Sequence, residues 1–320
     1  MAVARRVRRV SENGALKRWL PPLVTAAVLV ALSGFLYQNR GYIGDSYSLR
    51  PGLFVAVAGL TVLSLFVRGV ANRLHFGALG VTASTADWFR LVAVTSFTNY
   101  LPLSAGLVAK AVFLKRVHAL PFRQFAVGQT TLLLLIVTTN GLVGLVLLAV
   151  SFPKELVGIV GVGFGAMVLS GVVLMLPESL RERISSARWF PFAANVGPEA
   201  RRNWPAVALC QVGMLLASAA GLKLCFEMGE AVVSFEACVL FTAAAVLTRL
   251  VTIVPGALGV REFLIGALAV LVGFDLRDAV IASTLARAAE ILVVFVLGGV
   301  FTWSLSGDFA ESFGRKQDPS

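Results

Sequence analysis

The sequence predicts an all-α integral membrane protein with about six transmembrane helices and two re-entrant (broken) helical hairpins in an inverted-topology repeat. Three observations carry this expectation. Of the 320 residues, 58% are hydrophobic and 14% charged, whereas soluble domains carry roughly 25% charged residues. The apolar residues fall in runs of about 20, the length that crosses a ~30 Å hydrocarbon slab. Two helical stretches are interrupted in the same way by Pro-x-x-x-Gly, at Pro102 and Gly106 and again at Pro255 and Gly259.

The elements follow in order. Residues 1–19 form a basic N-terminus with Arg5, Arg6, Arg8, Arg9, Lys17 and Arg18. A first span covers 20–37, opened by Pro21 and Pro22, where proline costs least. With no convincing cleavage site after it, it reads as an uncleaved membrane helix. The second span covers 52–70, and Arg68 and Arg73 can snorkel from its end. Residues 86–100 are helical but short for a span. Leu101-Pro102-Leu103-Ser104-Ala105-Gly106 breaks them, and a second short piece runs to Arg116. Backbone interrupted at membrane depth is tolerated only where protein or a water-filled cavity covers it. Spans at 125–150 and 156–176 follow, then the polar segment 177–203, then a span at 204–226. The second broken stretch is 235–254, the break, and a short helix at 263–272; the last span is 279–303. A single polytopic domain thus occupies 20–305, with repeat halves at about 85–150 and 235–305, and a polar tail fills 306–320.

The repeat is more than two prolines. In each half a helix, a Pro/Gly break, a short helix, a polar link and a full span occur in the same order, and three full spans separate the units. An odd number inverts the second unit relative to the first, the arrangement in which paired broken helices mark a binding site.

The net charge of +11 sits mainly in short loops. With the N-terminus cytoplasmic, the basic loops at 73–90, 115–123 and 177–203 all fall inside and the acidic link with Glu227, Glu230 and Glu236 falls outside, as the positive-inside rule expects. The chain therefore reads as a multi-pass protein of the cell (cytoplasmic or inner) membrane. Nucleic-acid binding is excluded, since no basic soluble module remains to carry it. Cys210, Cys225 and Cys238 lie in or beside apolar stretches without CxxC or Cys/His spacing, and read as small buried hydrophobes. No metal and no cofactor is expected.

Ionisable residues at membrane depth cost roughly 2.5–3.5 kcal/mol each on insertion scales and are kept for pairing or function. Arg287 and Glu290 lie three apart inside the last span and share a helix face. Two readings stay open for them: a mutual ion pair that locks packing, or the lining of a polar cavity where the repeats meet. In the second reading Arg249, before the second break, and Arg261, after it, join Arg287 in receiving an anionic group, helped by the N–H groups of the broken helices. Glu262 and Glu290 position the arginines or meet a cationic headgroup, and Pro255, Gly256 and Gly259 form the break. Lys110 follows the first break and reads equally as a snorkelling surface residue. Asn99 and Asn140 read as interhelical hydrogen bonders. His75 and His118 read as solvated in basic loops, and Trp88, Trp189, Trp204 and Trp303 as interface anchors. No Ser/His/Asp grouping, phosphate-cradling glycine loop or metal-spaced carboxylate set occurs, so no catalytic residue is assigned and the chain is not expected to be an enzyme.

The run Val254-Pro255-Gly256-Ala257-Leu258-Gly259-Val260-Arg261-Glu262 resembles the Pro-Gly-Gly-Leu-Gly-x-Arg-Glu signature of the lysylphosphatidylglycerol synthase transmembrane-region family, also called the flippase-like domain family. Arg249 and Arg287 are similar to family features, and the resemblance covers about 21–305. It implies a lipid-handling membrane protein, with membrane lipids as partners and a lipid-synthesising enzyme as a candidate partner. Three departures stand out. The usual Gly-Gly is Gly256-Ala257. The acidic residue usual after the first break is absent from Gly106-Leu107-Val108-Ala109-Lys110. No soluble aminoacyl-transferase domain is present. The expected function is a flippase or translocase moving an amphipathic phospho- or polyprenyl-linked lipid between leaflets. The alternatives are a secondary transporter of a small anionic solute and an integral membrane lipid transferase.

Overall fold

A computed structural model describes residues 30–47, 50–100, 105–175, 201–250 and 257–314. Among them every regular element is helical. A helix at 30–38 (α1) and Arg40–Ser46 (α2) lead into Pro51–Gly77 (α3), Thr85–Thr98 (α4), Ala105–His118 (α5), Phe122–Ser151 (α6) and Lys154–Met175 (α7). Then come Trp204–Met228 (α8), Phe235–Ala245 (α9) with a 3-10 turn at Val246–Leu250, Val260–Leu271 (α10) and Leu276–Gly314 (α11).

Four helical stretches in the described residues are long and apolar enough to cross a bilayer: α3, α6, α8 and Leu276–Trp303 of α11. The chain is a multi-pass membrane protein. Of the other two expected spans, 20–37 lies mostly outside the described residues, and α7 covers the other with an apolar stretch at Val160–Gly171. Pro102, Pro255 and Gly256, most of the polar segment 177–203 and the end of the tail also lie outside them.

The two units match in local detail. After α3 the amides of Leu79 and Val81 both donate to Phe76 O, with Gly80 at φ +88. After α8 the amides of Gly229 and Ala231 both donate to Phe226 O, with Glu230 at φ +57. These are left-handed helix stops of one kind. Phe76 and Phe226 are fully buried beneath them. Eight residues after each phenylalanine, Ser84 caps α4 and Ser234 caps α9, accepting from a backbone N–H at 3.1 and 3.2 Å. Ser84 completes a capping box with Asp87. A proline also opens α3 and α8 in their first turns. The same local pattern thus occurs from α3 to α4 and from α8 to α9.

Packing repeats as well. α3 lies against α8 along the middle of the molecule, α4 crosses over to α11, and α9 crosses to α6. Each unit's first short helix thus packs on the other unit's last span. Gly298 lets α11 approach α4: a Cβ there would collide with Phe97 and sit 3.1 Å from Ala93 O. Gly144 gives Phe164 of α7 the same access to α6. Small residues at such crossings are what helix association in lipid requires, because dispersion contact replaces the hydrophobic effect. Exposed Val55, Leu63, Leu142, Val146, Leu209, Val296 and Val300 face outward, as lipid-facing positions do.

Several single-residue expectations change in the fold. His75 is buried within α3 and its Nε2 lies 2.8 Å from Gly128 O. Trp88 is fully buried beside Phe76, with ring centroids 5.4 Å apart, and Trp204 is buried too. Asn140 donates within its own helix, to Ile136 O at 2.8 Å. His75, Trp88 and Trp204 lie near helix ends in sequence, but neighbouring helices enclose those ends. The cysteines are free, Cys225 and Cys238 buried and Cys210 half-buried.

Candidate functional site

The second break sets up the site. Gly259, at φ +80, caps α10 and turns the chain so that Arg261 and Glu262 occupy its first turn. Only glycine adopts this φ without strain. α10 packs on α11, and Arg261 Nη1 donates to Glu290 Oε2 at 3.0 Å. From one turn below, Arg287 Nη1 donates to the same oxygen at 2.8 Å. The two arginines come from different helices, Arg261 29 residues and Arg287 three residues from Glu290 in sequence, and the α10–α11 pairing brings them to one carboxylate.

The opposite wall is built by α3 and α4. Tyr100, just past the end of α4, places its ring 5.4 Å from the Arg287 guanidinium carbon. Phe97 and Tyr100 both pack on Phe295 of α11, with centroids 5.0 and 5.7 Å away. Arg68 of α3 enters between them. Its Nη1 donates to Ser96 Oγ at 3.4 Å, and its Nε is sealed from solvent with no hydrogen-bond partner among the described residues. No carboxylate lies within ion-pair distance of Arg68 among those residues. Glu290, Arg287, Arg261 and Tyr100 are nonetheless its electrostatic neighbours.

Glu262 is the other carboxylate of the site. It is 1% exposed, and neither oxygen has a hydrogen-bond partner among the described residues. Its position in the first turn of α10 sets it against the positive end of that helix, and it acts electrostatically on Arg287. The described cluster therefore holds three guanidinium groups and two carboxylates, with both close ion-pair contacts concentrated on Glu290.

The predicted residues sort as follows. Arg261, Glu262, Arg287 and Glu290 come together, and Gly259 shapes the turn before them. Arg249 lies in the 3-10 turn that ends the preceding helix; its side chain, like Pro255 and Gly256, lies outside the described residues. Arg287 and Glu290 do form the mutual ion pair, and Arg261 shares it. In the first unit, Gly106 seats α5 directly on the end of α4, since a Cβ there would fall on Thr95 O and the Asn99 side chain.

Arg68, Ser96 and Tyr100 were not among the expected site residues. A signal for Arg68 exists in the sequence: Arg68, Asn72 and His75 fall at i, i+4 and i+7, a polar stripe on one face of an apolar helix. The structure carries that stripe inward. Asn72 Nδ2 donates to Arg68 O at 2.7 Å, while Asn72 Oδ1 accepts from Lys110 Nζ at 2.6 Å. Lys110 is thus buried rather than snorkelling.

Away from the arginines, Tyr42 donates to Asp278 Oδ1 at 2.8 Å and Tyr47 to Asp278 O at 3.2 Å, tying α2 and the link after it to the start of α11. Burial, reinforced by the Asp278 carboxylate, pushes the Tyr47 phenol up, so it remains a donor.

No curated protein matches the chain. The family model described as lysylphosphatidylglycerol synthase TM region matches residues 16–298, which takes in both breaks, the arginine cluster and the spans, except the last few residues of the final one. With that match over most of its length, the chain belongs to the lysylphosphatidylglycerol synthase TM-region family, a family of membrane lipid-related function.

Proposed function

We propose that this protein is a flippase-like translocase that carries an anionic amphipathic lipid, a phospholipid or a polyprenyl-linked lipid, between leaflets. The observation that supports it most is Arg68: a guanidinium inside the membrane domain, bonded among the described residues to a hydroxyl, next to two arginines that share one carboxylate. A buried cation without its own counter-ion is costly, and a lipid phosphate is a counter-ion of the right geometry, since guanidinium groups bind phosphate oxygens in pairs. The headgroup would pass through the arginine-lined interior while the tails stay in the bilayer. The two units, related by inverted topology, would provide the alternating exposure. Six spans and two re-entrant hairpins, with the N-terminus cytoplasmic in the inner membrane, fit the loop charges.

In this reading the chain performs no bond chemistry. Membrane lipids are its partners, and a lipid-synthesising enzyme would supply the substrate. Arg68, Arg287 and Arg261 hold the phosphate, Glu290 orients two of them, and Tyr100 packs over Arg287.

The test is mass spectrometry of copurified lipid, with a leaflet-exchange assay in proteoliposomes, for the wild type, Arg68→Ala and Arg287→Ala. The expected result is selective enrichment of one anionic lipid in the wild type, lost in both variants along with exchange. Folded yield of Arg287→Ala should stay near normal because Arg261 still satisfies Glu290. Bulk-like lipid in all three proteins, with saturable binding of inorganic phosphate instead, would move the assignment to a small-anion transporter. A collapse of yield in Arg287→Ala would make that residue structural.

A further inference from the structure

A second buried cation lies in the first unit. Lys110 of α5 is 7% exposed. Its ammonium donates to Asn72 Oδ1 at 2.6 Å and Gln129 Oε1 at 2.9 Å. It faces the rings of Phe76, Trp88 and Phe125 at 4.5, 5.7 and 6.0 Å. Two neutral amides and three ring faces complete its surroundings, and no carboxylate lies within ion-pair distance among the described residues.

The charged and titratable groups around it are few. From α3 come Arg68 and His75; from α4 comes only the Trp88 ring; from α6 come Gln129 and the Phe125 ring. The charges on α11, Arg287 and Glu290, belong to the arginine cluster. His75 gives its Nε2 proton to Gly128 O, because a carbonyl only accepts, and its buried Nδ1 has no hydrogen-bond partner among the described residues.

This cage can serve either protonation state. A neutral amine keeps two N–H donors, enough for both amide oxygens, and its lone pair can also accept from a primary amide that turns over. Asn72 is pinned by its bond to Arg68 O; Gln129 has no such second bond among the described residues and can turn. Asn72 also connects the ammonium to the backbone that carries Arg68, one helical turn away. Burial without a counter-charge makes a lysine's protonation responsive to the charges nearby, and the nearest charge that changes during transport is whatever occupies the arginines.

We infer that Lys110 is a proton-binding site linked to the arginine cluster, taking up a proton from water when an anionic headgroup binds there and returning it when the headgroup leaves. This rests on the proposed lipid reading. The anion lowers the cost of a positive charge on Lys110, and by reciprocity the charged Lys110 tightens anion binding.

The experiment uses the full chain in detergent with short-chain phosphatidylglycerol as the anionic probe and short-chain phosphatidylcholine as the zwitterionic control. Binding and proton uptake are measured together in weakly buffered solution with an indicator dye. The wild type should take up protons, at most one per lipid bound. Its affinity should fall about five- to tenfold from neutral to mildly alkaline pH. Lys110→Met and Lys110→Arg should both bind without proton uptake and with a flat pH profile, the arginine variant because it stays charged. If the methionine variant does not fold, the arginine variant and the wild-type linkage decide. Binding of phosphatidylglycerol without proton uptake would sink the inference and leave the lipid reading standing, as would uptake that survives in the variants or appears equally with phosphatidylcholine. Failure of phosphatidylglycerol to bind at all, in a protein that also copurifies with no enriched anionic lipid, would overturn both.

Discussion

The helices α5 and α10 both follow a Pro/Gly break in the sequence and treat charge differently. α10 carries Arg261 and Glu262 in its first turn and delivers its cation to a carboxylate on the adjacent span. α5 carries Lys110 and delivers it to amides and aromatic rings. Two helices in similar sequence settings thus carry two kinds of inward-facing cation. One is a permanent guanidinium with a fixed counter-ion, and the other an amine with no carboxylate at ion-pair distance among the described residues. The contrast teaches that the likeness between the two regions lies in their helix stops, caps and crossings, while the chemistry differs between them.

The comparison is broken most severely at Glu290. Glu290→Ala strands Arg261 and Arg287 together and should cost about 3 kcal/mol, as removal of one side of a buried pair does; thermal unfolding in detergent measures it. Next are the glycines of the breaks. Gly106→Ala drives a Cβ into Thr95 O, a backbone atom that cannot step aside, and should cost about 2 kcal/mol. Gly259→Ala meets backbone strain at φ +80 instead and should cost about 1 kcal/mol. A larger loss at Gly259 than at Gly106 would mean that the second break, not the first, is the tighter of the two. The smallest effect lies at the caps. Ser84→Ala and Ser234→Ala should each cost about 1 kcal/mol, with Ser84 the more costly because its capping box is reciprocal. Equal losses would show that the Asp87 half of the box adds nothing.

Much of the frame was legible because it depends on local pattern. Length of apolar runs fixes spans, and Pro/Gly breaks show wherever a helix stops at membrane depth. The pair Arg287 and Glu290 was readable from a spacing of three. Arg261 reaching Glu290 was a matter of which helix α10 packs on, and that is not written in either segment. Arg68 and Lys110 were misjudged for one physical reason: hydropathy reports how deep a charge sits, not whether it faces lipid or protein. Both turn inward, Arg68 toward α4 and α11 and Lys110 toward α3 and α6. The Arg68/Asn72/His75 stripe carried the missing direction. Trp88 and His75 failed in the same way, since an aromatic near a helix end suits an interface as well as a sealed crossing.

The sharing of a single oxygen by Arg261 and Arg287 has a consequence for turnover. In the proposed lipid reading, an arriving anion would draw one guanidinium away while the other keeps Glu290 bonded, so the carboxylate would not be left bare inside the membrane. The site would then work as an ion exchanger: one anion displaces another's hold on a cation, and the resident returns when the guest departs. Such exchange would keep the energy difference between the loaded and empty states small, so that cargo would be released as readily as it is captured.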